Sequence, residues 1–544
     1  MRYIIYVFIL LLTGCSNISK NDGNKTVFRY NEASGISSLD PAFASNQSNI
    51  WACNHLYNGL IQLDNQLNPQ PCIAKYWDIS EDGQTYLFHL RNDVEFHRDT
   101  LLKVGRKVSA SDFVYSFNRI TSENTASPGS WIFNFVQKDA SNVLTGVSAI
   151  NDSTLQIKLS SPFPPFLGLL SAAYCAVVPH EVVEYYGKDF RKHPIGTGPF
   201  IFNRWIERTA LVLHKNNCYF EIDSLGAKLP YLDAVMISFI NDKQSAFLEF
   251  LKGKLDLISG LDAGFKDDLL TPAGKMKSKY NGRFKMETAP YLNTEYLGFI
   301  MDPNLASMQG NPINNIKIRQ AINYGFDRKK MIKYLRNNMA TPGTGGIIPP
   351  GTPGFDKVEY YGYNYNPELS KKLLSEAGYP NGKGLPTITM STTSSYQDLC
   401  EYIQGQLSEI GINVNVEINQ SAQHRQMVAK QQLAWFRASW IADYADGENY
   451  LSLFYSKNKA PVGPNYTHYE NKKFDELYVK SLLTQNDSTR QELYRSMDKE
   501  AMKDAPVVVL YYDRVLRLAQ NKVSGLTMNP LNLLNLKTVK INNF

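Results

Sequence analysis

Hydrophobic residues recur along the chain with two different periods, one typical of β-strands and one typical of α-helices. Residues Thr85–Arg91 (TYLFHLR) place apolar side chains at every second position, which is the period of a half-buried β-strand. They follow the turn pair Asp82-Gly83, so this segment is predicted to be one arm of a β-hairpin. Residues Asn151–Leu159 repeat the alternation and predict another strand of the same kind.

A helical period appears in the second half of the chain. Asn366 and Pro367 are residue types preferred at a helix N-cap and first position, leucines follow on one face, and Gly378 ends the segment. A second helix is predicted over Tyr396–Ile410, and the alternating segment Ile412–Ile418 follows it as a strand. Helices that alternate with strands in this way predict the α/β class.

The length of the chain indicates more than one domain. Its 544 residues exceed one ordinary hydrophobic core, so about two to four domains are expected. No repeat of fixed period is found, and the segment richest in proline and glycine, Thr341–Gly354, predicts a long loop.

The N-terminus resembles an export signal. One arginine precedes the apolar run Tyr3–Leu12, which is too short to span a bilayer and has the length of a signal-peptide core. Leu12-Thr13-Gly14-Cys15 resembles the lipobox of bacterial lipoproteins, which implies a signal peptide over residues 1–14 and a lipid on Cys15. Residues 15–25 are polar and predict a flexible tether. The alternative is a plain secretory signal with an incidental cysteine.

Charge and cysteine content narrow the classes of partner. The net charge of +6 is spread without a basic block, so no nucleic-acid partner is expected. Lipidation of Cys15 would leave five of the six cysteines, an odd number, so at least one is expected to be free. Cys53 and Cys72 are close enough in sequence to pair, but sequence does not give the connectivity.

Motifs of the common enzyme and metal sites are absent from the sequence. There is no H-E-x-x-H, no G-x-x-x-x-G-K-[ST] and no G-x-S-x-G, and the eight histidines lack ligand spacing. We therefore expect no cofactor, no metal and no enzymatic activity. The paired carboxylates of a glycoside hydrolase need no fixed spacing, so a surface hydrolase stays an alternative.

Several segments, taken together and in order, resemble the family 5 extracellular solute-binding proteins of ABC importers, the oligopeptide- and dipeptide-binding group. The segments are Ser38–Pro41, His55–Leu63, Pro71–Ser80, Asp82–Phe96, Val108–Arg119, Gly196–Phe200, Ile318–Arg328, Ser375–Pro380 and Ser439–Leu451. The resemblance implies a two-lobed α/β fold of the periplasmic-binding-protein type (type II), with an extra domain inserted in the first lobe.

The resemblance also implies where the domains divide. The first lobe would comprise residues 26–57, 193–289 and 512–544, the extra domain residues 58–192, and the second lobe residues 290–511. A ligand would lie between the lobes and be enclosed when they close.

The segment Arg437–Tyr444 (RASWIADY) matches the peptide-binding motif of oligopeptide-binding relatives position by position. The match implies that Asp443 meets the α-amino group of a peptide, that Arg437 meets its terminal carboxylate, and that Ser439 and Ile441 pair with its backbone. The residues implied to line the site beyond these are Trp440, Trp131, Ser45, Asn46 and Gln47.

Each of these residues also has a structural alternative. Asp443 could cap a helix, and Arg437 could pair with Asp443 inside the empty protein. Asp446 and Glu448 are interpreted as cap and first-turn acids of a following helix. Some oligopeptide binders carry a tyrosine where this chain has Gly129, which weakens the transfer of peptide length and affinity.

The leading hypothesis is a monomeric lipoprotein in the cell envelope, facing the periplasm or the exterior. It would capture oligopeptides and deliver them to an ABC permease. The alternative within the same fold is a non-peptide solute such as a sugar, a nickel chelate or another small molecule. Asp443 argues against a neutral sugar, because an unpaired buried carboxylate is unfavourable.

Overall fold

The computed structural model describes residues 25–356 and 361–542. The predicted signal peptide, Cys15 and the tether up to Asn24 lie outside these residues. Among the helices of the described ranges, none is long and apolar enough to cross a membrane.

The strands are given in chain order. They are β1 (Val27–Asn31), β2 (Ile61–Leu63), β3 (Pro69–Pro71), β4 (Ala74–Ile79), β5 (Thr85–Leu90), β6 (Val147–Asn151), β7 (Thr154–Lys158), β8 (Phe200–Ile206), β9 (Ala210–Lys215) and β10 (Ala234–Ser238). They continue with β11 (Leu257–Ser259), β12 (Phe284–Phe299), β13 (Ala340–Pro342), β14 (Ile388–Thr393), β15 (Val414–Asn419), β16 (Trp435–Ile441), β17 (Val507–Gln520), β18 (Val523–Ser524) and β19 (Lys540–Ile541).

The α-helices are also given in chain order. They are α1 (Gln47–Leu56), α2 (Ala110–Thr121), α3 (Phe166–Leu170), α4 (His180–Tyr186), α5 (Lys243–Leu251), α6 (Ala263–Leu269) and α7 (Ile316–Tyr324). They continue with α8 (Arg328–Leu335), α9 (Pro367–Glu376), α10 (Gln397–Ser408), α11 (Ser421–Ala429), α12 (Glu448–Leu451), α13 (Lys472–Leu482) and α14 (Asp487–Asp504).

One large mixed sheet runs through the molecule. Its strand order is β15-β14-β16-β12-β17-β11-β1-β10-β9-β8, and β13 pairs with β17. The long strands β12 and β17 form a central antiparallel pair whose register shifts between Pro290 and Thr294 and again between Glu295 and Tyr296. Beyond this pair, one half of the sheet is built from residues 388–441 and the other half from residues 27–259.

A separate antiparallel sheet, β4-β5-β7-β6, lies within the segment predicted to be the extra domain. The hairpin predicted from the alternation at Thr85 is confirmed, since β4 and β5 pair directly and Phe88 is fully buried. The predicted strand Asn151–Leu159 is correct from Thr154 onward, because its first residues belong to β6 and to the turn after it.

The elements predicted in the second half of the chain are present. Asn366 caps α9, with its Oδ1 accepting the N–H of Leu369 at 3.0 Å, and Gly378 has a φ of +92°, in the left-handed region. Helix α10 lies inside the predicted helix, and β15 starts at Val414 instead of Ile412.

The predicted loop Thr341–Gly354 is fixed by one buried carboxylate. Asp498 of α14 is fully buried and accepts the N–H of Ile347 at 2.8 Å and the hydroxyl of Tyr361 at 3.0 Å. Gly346 packs so closely on this carboxylate that a Cβ there would overlap it. The loop is therefore ordered by a polar anchor as well as by apolar packing.

Apolar side chains gather in separate cores on the two sides of the central strand pair. The first core joins residues between Phe28 and Leu257 with a C-terminal stretch that ends at Val539, and Tyr444 reaches into it from the loop after β16. Another core lies entirely between Leu297 and Tyr511. The residue boundaries of the lobes and of the extra domain stay a prediction.

Candidate functional site

A free strand edge lies at the end of β16. Ala442 N–H donates to Leu292 O at 2.8 Å, so alternate residues of β16 bond to β12 while Ser439 and Ile441 turn their backbone groups away. On that side β14 is in register with β16 only at Phe436. Within residues 25–356 and 361–542, the backbone groups of these two residues therefore face no neighbouring strand, and an extended chain could pair with them.

Asp443 follows this edge directly and lacks a paired cation among the described residues. Asn449 Oδ1 accepts the N–H of Asp443 at 3.2 Å, and Asn449 Nδ2 lies 3.4 Å from Asp443 Oδ2. The side chain remains in contact with solvent, yet protein surrounds it on several sides, and this desolvation raises the pKa of Asp443. A carboxylate in this setting is stabilised by a cation that binds beside it.

The two other acids of the segment face inward. Asp446 Oδ1 accepts the N–H of Glu448 at 2.9 Å at the start of α12, in agreement with the predicted helix start. Glu448 is 3% exposed and accepts hydrogen bonds from the hydroxyl groups of Tyr444 and Tyr478. Burial raises the pKa of Glu448 to about 7. These two acids fix the shape of the loop that carries Asp443.

Arg437 is paired with Glu295 and not with Asp443. Arg437 Nε lies 3.1 Å from Glu295 Oε2, and the ring of Tyr396 lies 3.3 Å from the guanidinium carbon. Glu295 also accepts from Asn293 Nδ2 at 3.2 Å. The two charged side chains meet because Arg437 and Glu295 project from the same face of the neighbouring strands β16 and β12.

The predicted segment Ser45–Gln47 precedes and starts α1. Asn46 caps this helix, its Oδ1 accepting the N–H of Asn49 at 3.0 Å. Ser45 lies near the hydroxyl group of Tyr174, and burial together with the nearby Asp443 carboxylate raises the pKa of Tyr174 to about 12. Ser45, Tyr174 and Asp443 therefore border the same space.

Gly129 makes room for this tyrosine. A Cβ at Gly129 would overlap the ring of Tyr174, so the absence of a side chain there is required by close packing. Some oligopeptide binders are expected to carry a tyrosine at the position of Gly129. In this chain, the ring of Tyr174 packs against that position from another segment. No sequence pattern pointed to Tyr174, because its neighbours Ala173 and Cys175 form only a short 3-10 turn with it.

The two predicted tryptophans have different settings. Trp440 Nε1 donates to Asn449 Oδ1 at 2.8 Å, which links it to Asp443 through one amide. Trp131 is half-buried on a 3-10 helix, Ser130–Phe133, and packs against the first core. In the described part of the chain, Trp131 shares no hydrogen bond or ring contact with the other predicted residues.

A cavity of about 830 Å³ is lined from both halves of the main sheet, by Gln47 on one side and by Arg336, Tyr396 and Asp513 among others. Arg336 Nη1 lies 3.2 Å from Asp398 Oδ2. The cavity therefore holds charges of both signs. Gln47 is a predicted site residue, whereas Arg336, Tyr396 and Asp513 are scattered along the chain and belong to no motif.

The described residues contain no group of three or more His, Cys, Asp or Glu side chains that could hold a metal ion. The cysteines in this part of the chain are free thiols, so Cys53 and Cys72 do not pair, and Cys218 is the exposed one.

Comparison with known proteins places this geometry in context. A sequence model of the family described as bacterial extracellular solute-binding proteins, family 5 Middle, matches residues 68–461. The dipeptide-binding protein of Escherichia coli (strain K12) is 24% identical over 502 residues, which cover 89% of each chain. Heme-binding protein A of Haemophilus influenzae is 26% identical over 533 residues, covering 94% of this chain and 91% of the relative.

A solved structure is similar over the same length. It is the ABC transporter-associated periplasmic binding protein DppA from Helicobacter pylori, in complex with the peptide STSA. It is similar with a TM-score of 0.74 at 26% identity, and the match covers 96% of this chain and 98% of that chain. The predicted α/β fold, two-lobed and of the periplasmic-binding-protein type, is confirmed.

Proposed function

The chain belongs to the family 5 bacterial extracellular solute-binding proteins of ABC transporters, and on this premise we propose that it captures oligopeptides beside Asp443 and delivers them to a membrane permease. The observation that carries the proposal is the carboxylate of Asp443, without a cation, at the end of a free strand edge. The relative named a dipeptide-binding protein and the DppA structure with a bound peptide support this ligand class.

The amino end of the peptide would pair with Asp443. Enclosure removes water from a peptide ammonium, so the group needs a negative partner of its own. Asp443 has one amide as its described partner and remains accessible to solvent, so it can accept the ammonium without breaking an existing ion pair. Tyr174 and Ser45 would border the same space from two distant segments of the chain.

The peptide backbone would pair with Ser439 and Ile441. Their N–H and C=O groups point away from β12, and strand addition satisfies a peptide's backbone without reading its side chains. Ser45, Asn46 and Gln47 would line the cleft opposite this edge, with Trp440 behind the anchor. Trp131 stays proposed as a lining residue.

The carboxyl end of the peptide would be met by a cation in the cleft. Arg437 is the proposed residue, although Glu295 already occupies its Nε and Nη2 atoms. Nη1 has no partner among the described contacts and can donate to a terminal carboxylate. Arg336, which lines the large cavity, could add a second donor for shorter or longer peptides.

The remaining proposals concern the cellular setting. We propose that the protein is a monomer, that Cys15 carries the lipid anchor, and that an ABC permease receives the ligand. The lipobox match of residues 12–15 supports the anchor, and family membership supports the permease. Mass spectrometry of the mature N-terminus after membrane extraction would test the lipid directly.

A non-peptide ligand is the second candidate. The relative named heme-binding protein A is similar over 94% of this chain, which favours haem as one solute to be tried. A haem titration followed by visible absorption would separate this candidate from the peptide.

The deciding experiment is calorimetry of purified protein, unfolded and refolded to remove bound ligand. Mixed tri- to pentapeptides are expected to release heat and to bind at one site. Absence of heat with every peptide pool, together with a saturable haem signal, would contradict the peptide proposal and leave the family intact.

A further inference from the structure

Glu32 is a second carboxylate without a partner among the described residues, and it lies at the carboxyl end of β1. Glu32 directly follows β1, and in the described residues its side chain makes no hydrogen bond or ion pair. It is half-buried, and burial raises the pKa of Glu32 to about 7. An uncompensated acid in such a position is unfavourable unless a ligand uses it.

The position of Glu32 in the sheet is that of a ligand site. β1 is parallel to both of its neighbours, β10 and β11, so the carboxyl ends of the three strands meet at one edge. Glu32 follows the first of them, and Gly260 follows β11 at the same edge. Ligands of open α/β sheets bind outside such carboxyl ends.

A cavity of about 200 Å³ lies beside Glu32. It shares with the large cavity the residues Gln47, Lys243, Ser259, Gly260, Leu261 and Asp262. The smaller cavity is therefore a side pocket of the cleft and not a separate surface site. It adjoins Gln47, one of the residues proposed to meet the peptide.

The lining of this side pocket suits a long cationic side chain. Trp51 and Phe265, both 2% exposed, supply apolar walls for a methylene stem. Lys243 is the one cation among the described lining residues, and its Nζ lies 3.1 Å from Asp262 Oδ2. Lys243 therefore does not neutralise Glu32, and a cation that enters the pocket would favour the charged form of this carboxyl group.

We propose that the side pocket receives a lysine or arginine side chain of the bound peptide, with its charged end paired to Glu32. The proposal rests on the proposed peptide function. It predicts a receptor that selects for one basic residue, in addition to its sequence-blind contacts with the peptide backbone.

The test uses calorimetry with alanine-based tri- to pentapeptides. Each position carries in turn lysine or norleucine, which has a similar stem without the charge. At one position, the lysine peptide is expected to bind about tenfold more tightly, because a charged hydrogen bond is lost with norleucine. Glu32→Gln is expected to abolish this difference and to leave the affinity for norleucine peptides unchanged.

Glu207→Gln is the matched control, since Glu207 is an exposed acid outside the pocket, and the lysine preference should persist in it. Equal affinities at every position, or a lysine preference that survives Glu32→Gln, would overturn the inference while the peptide function stands. If no peptide of either kind binds the unaltered protein, the proposed function falls and this inference falls with it.

Discussion

Asn449 accepts a hydrogen bond from Trp440 Nε1 at 2.8 Å with the same oxygen that receives the N–H of Asp443 at 3.2 Å. The side-chain amide of Asn449, on the four-residue helix α12, therefore fixes the positions of both the Trp440 indole and Asp443, the proposed anchor. The geometry of the proposed anchor therefore depends on Asn449 as well as on Asp443.

Asn449→Ala should therefore weaken peptide binding by about tenfold, less than loss of the carboxylate itself, because Asp443 stays present but poorly placed. It should also destabilise the fold by about 1–2 kcal/mol, since a half-buried indole N–H loses its acceptor. Calorimetry and urea unfolding measure the two effects. Asn304→Ala, at an exposed asparagine, is the control. Unchanged affinity in Asn449→Ala would show that Asp443 is positioned by other contacts.

Asp443→Asn should reduce peptide affinity by about a hundredfold, because the peptide ammonium would be enclosed without a counter-charge. Thermal stability should not fall, since burial already disfavours the charged form of Asp443. Asp152→Asn, at an exposed turn, serves as the control for a general change of charge. Affinity equal to that of the unaltered protein would refute the amino-end assignment and leave the fold untouched.

Gly129→Ala should lower peptide affinity several-fold by displacing the ring of Tyr174 from Ser45. The backbone of Gly129 has a φ of −89°, which alanine adopts freely, so the effect would be purely steric. Overpacking of this kind costs about 1–3 kcal/mol of stability. Gly405→Ala is a matched control, because no atom lies within 4 Å of a Cβ at that position. A double variant with Tyr174→Ala should recover the stability but not the affinity.

The buried Glu448 should make the protein more stable in mild acid. Its pKa is about 7 in the folded state and about 4.3 in unfolded chains, so the folded state binds the proton more tightly. Its contribution is complete below the unfolded pKa and is lost as pH rises through 7. Between pH 8 and pH 5, the unfolding free energy of the unaltered protein should rise relative to Glu448→Gln by on the order of 3 kcal/mol. Parallel pH profiles for the two proteins in urea unfolding would contradict this.

Local signals in the sequence were sufficient for the helices and strands that depend on them. Asn366 and Gly378 mark the two ends of α9 because capping acts within one turn of the chain. The strand predicted from Asn151 failed at its first residues because Asn151, Asp152 and Ser153 form a polar hairpin turn, and the alternation of apolar residues begins only at Leu155. The α/β class followed from such elements, whereas the two-lobed arrangement came from resemblance alone.

The site was predictable only where its residues are adjacent in sequence. Arg437, Trp440 and Asp443 share one motif, and the backbone pattern of β16 follows from it. Two other residues come from distant segments of the chain. Glu295 pairs with Arg437, and Tyr174 lies near Asp443. Folding alone brings these side chains together, so the sequence gives no sign of either contact. For the same reason the alternative in which Arg437 pairs with Asp443 is wrong, since Glu295 is its partner.

The pairing of β12 with β17 is interrupted between Pro290 and Thr294, and this interruption affects how the sheet can bend. A sheet bends most easily where its ladder is broken, so a rotation of the two halves would pivot there. Leu292 lies inside this interruption, and its carbonyl is hydrogen-bonded to Ala442, the residue before Asp443. Asp443 would therefore lie close to the pivot and move little, whereas cleft residues far from the pivot would move most. A peptide could then bind through its amino end before the two sides of the cleft close.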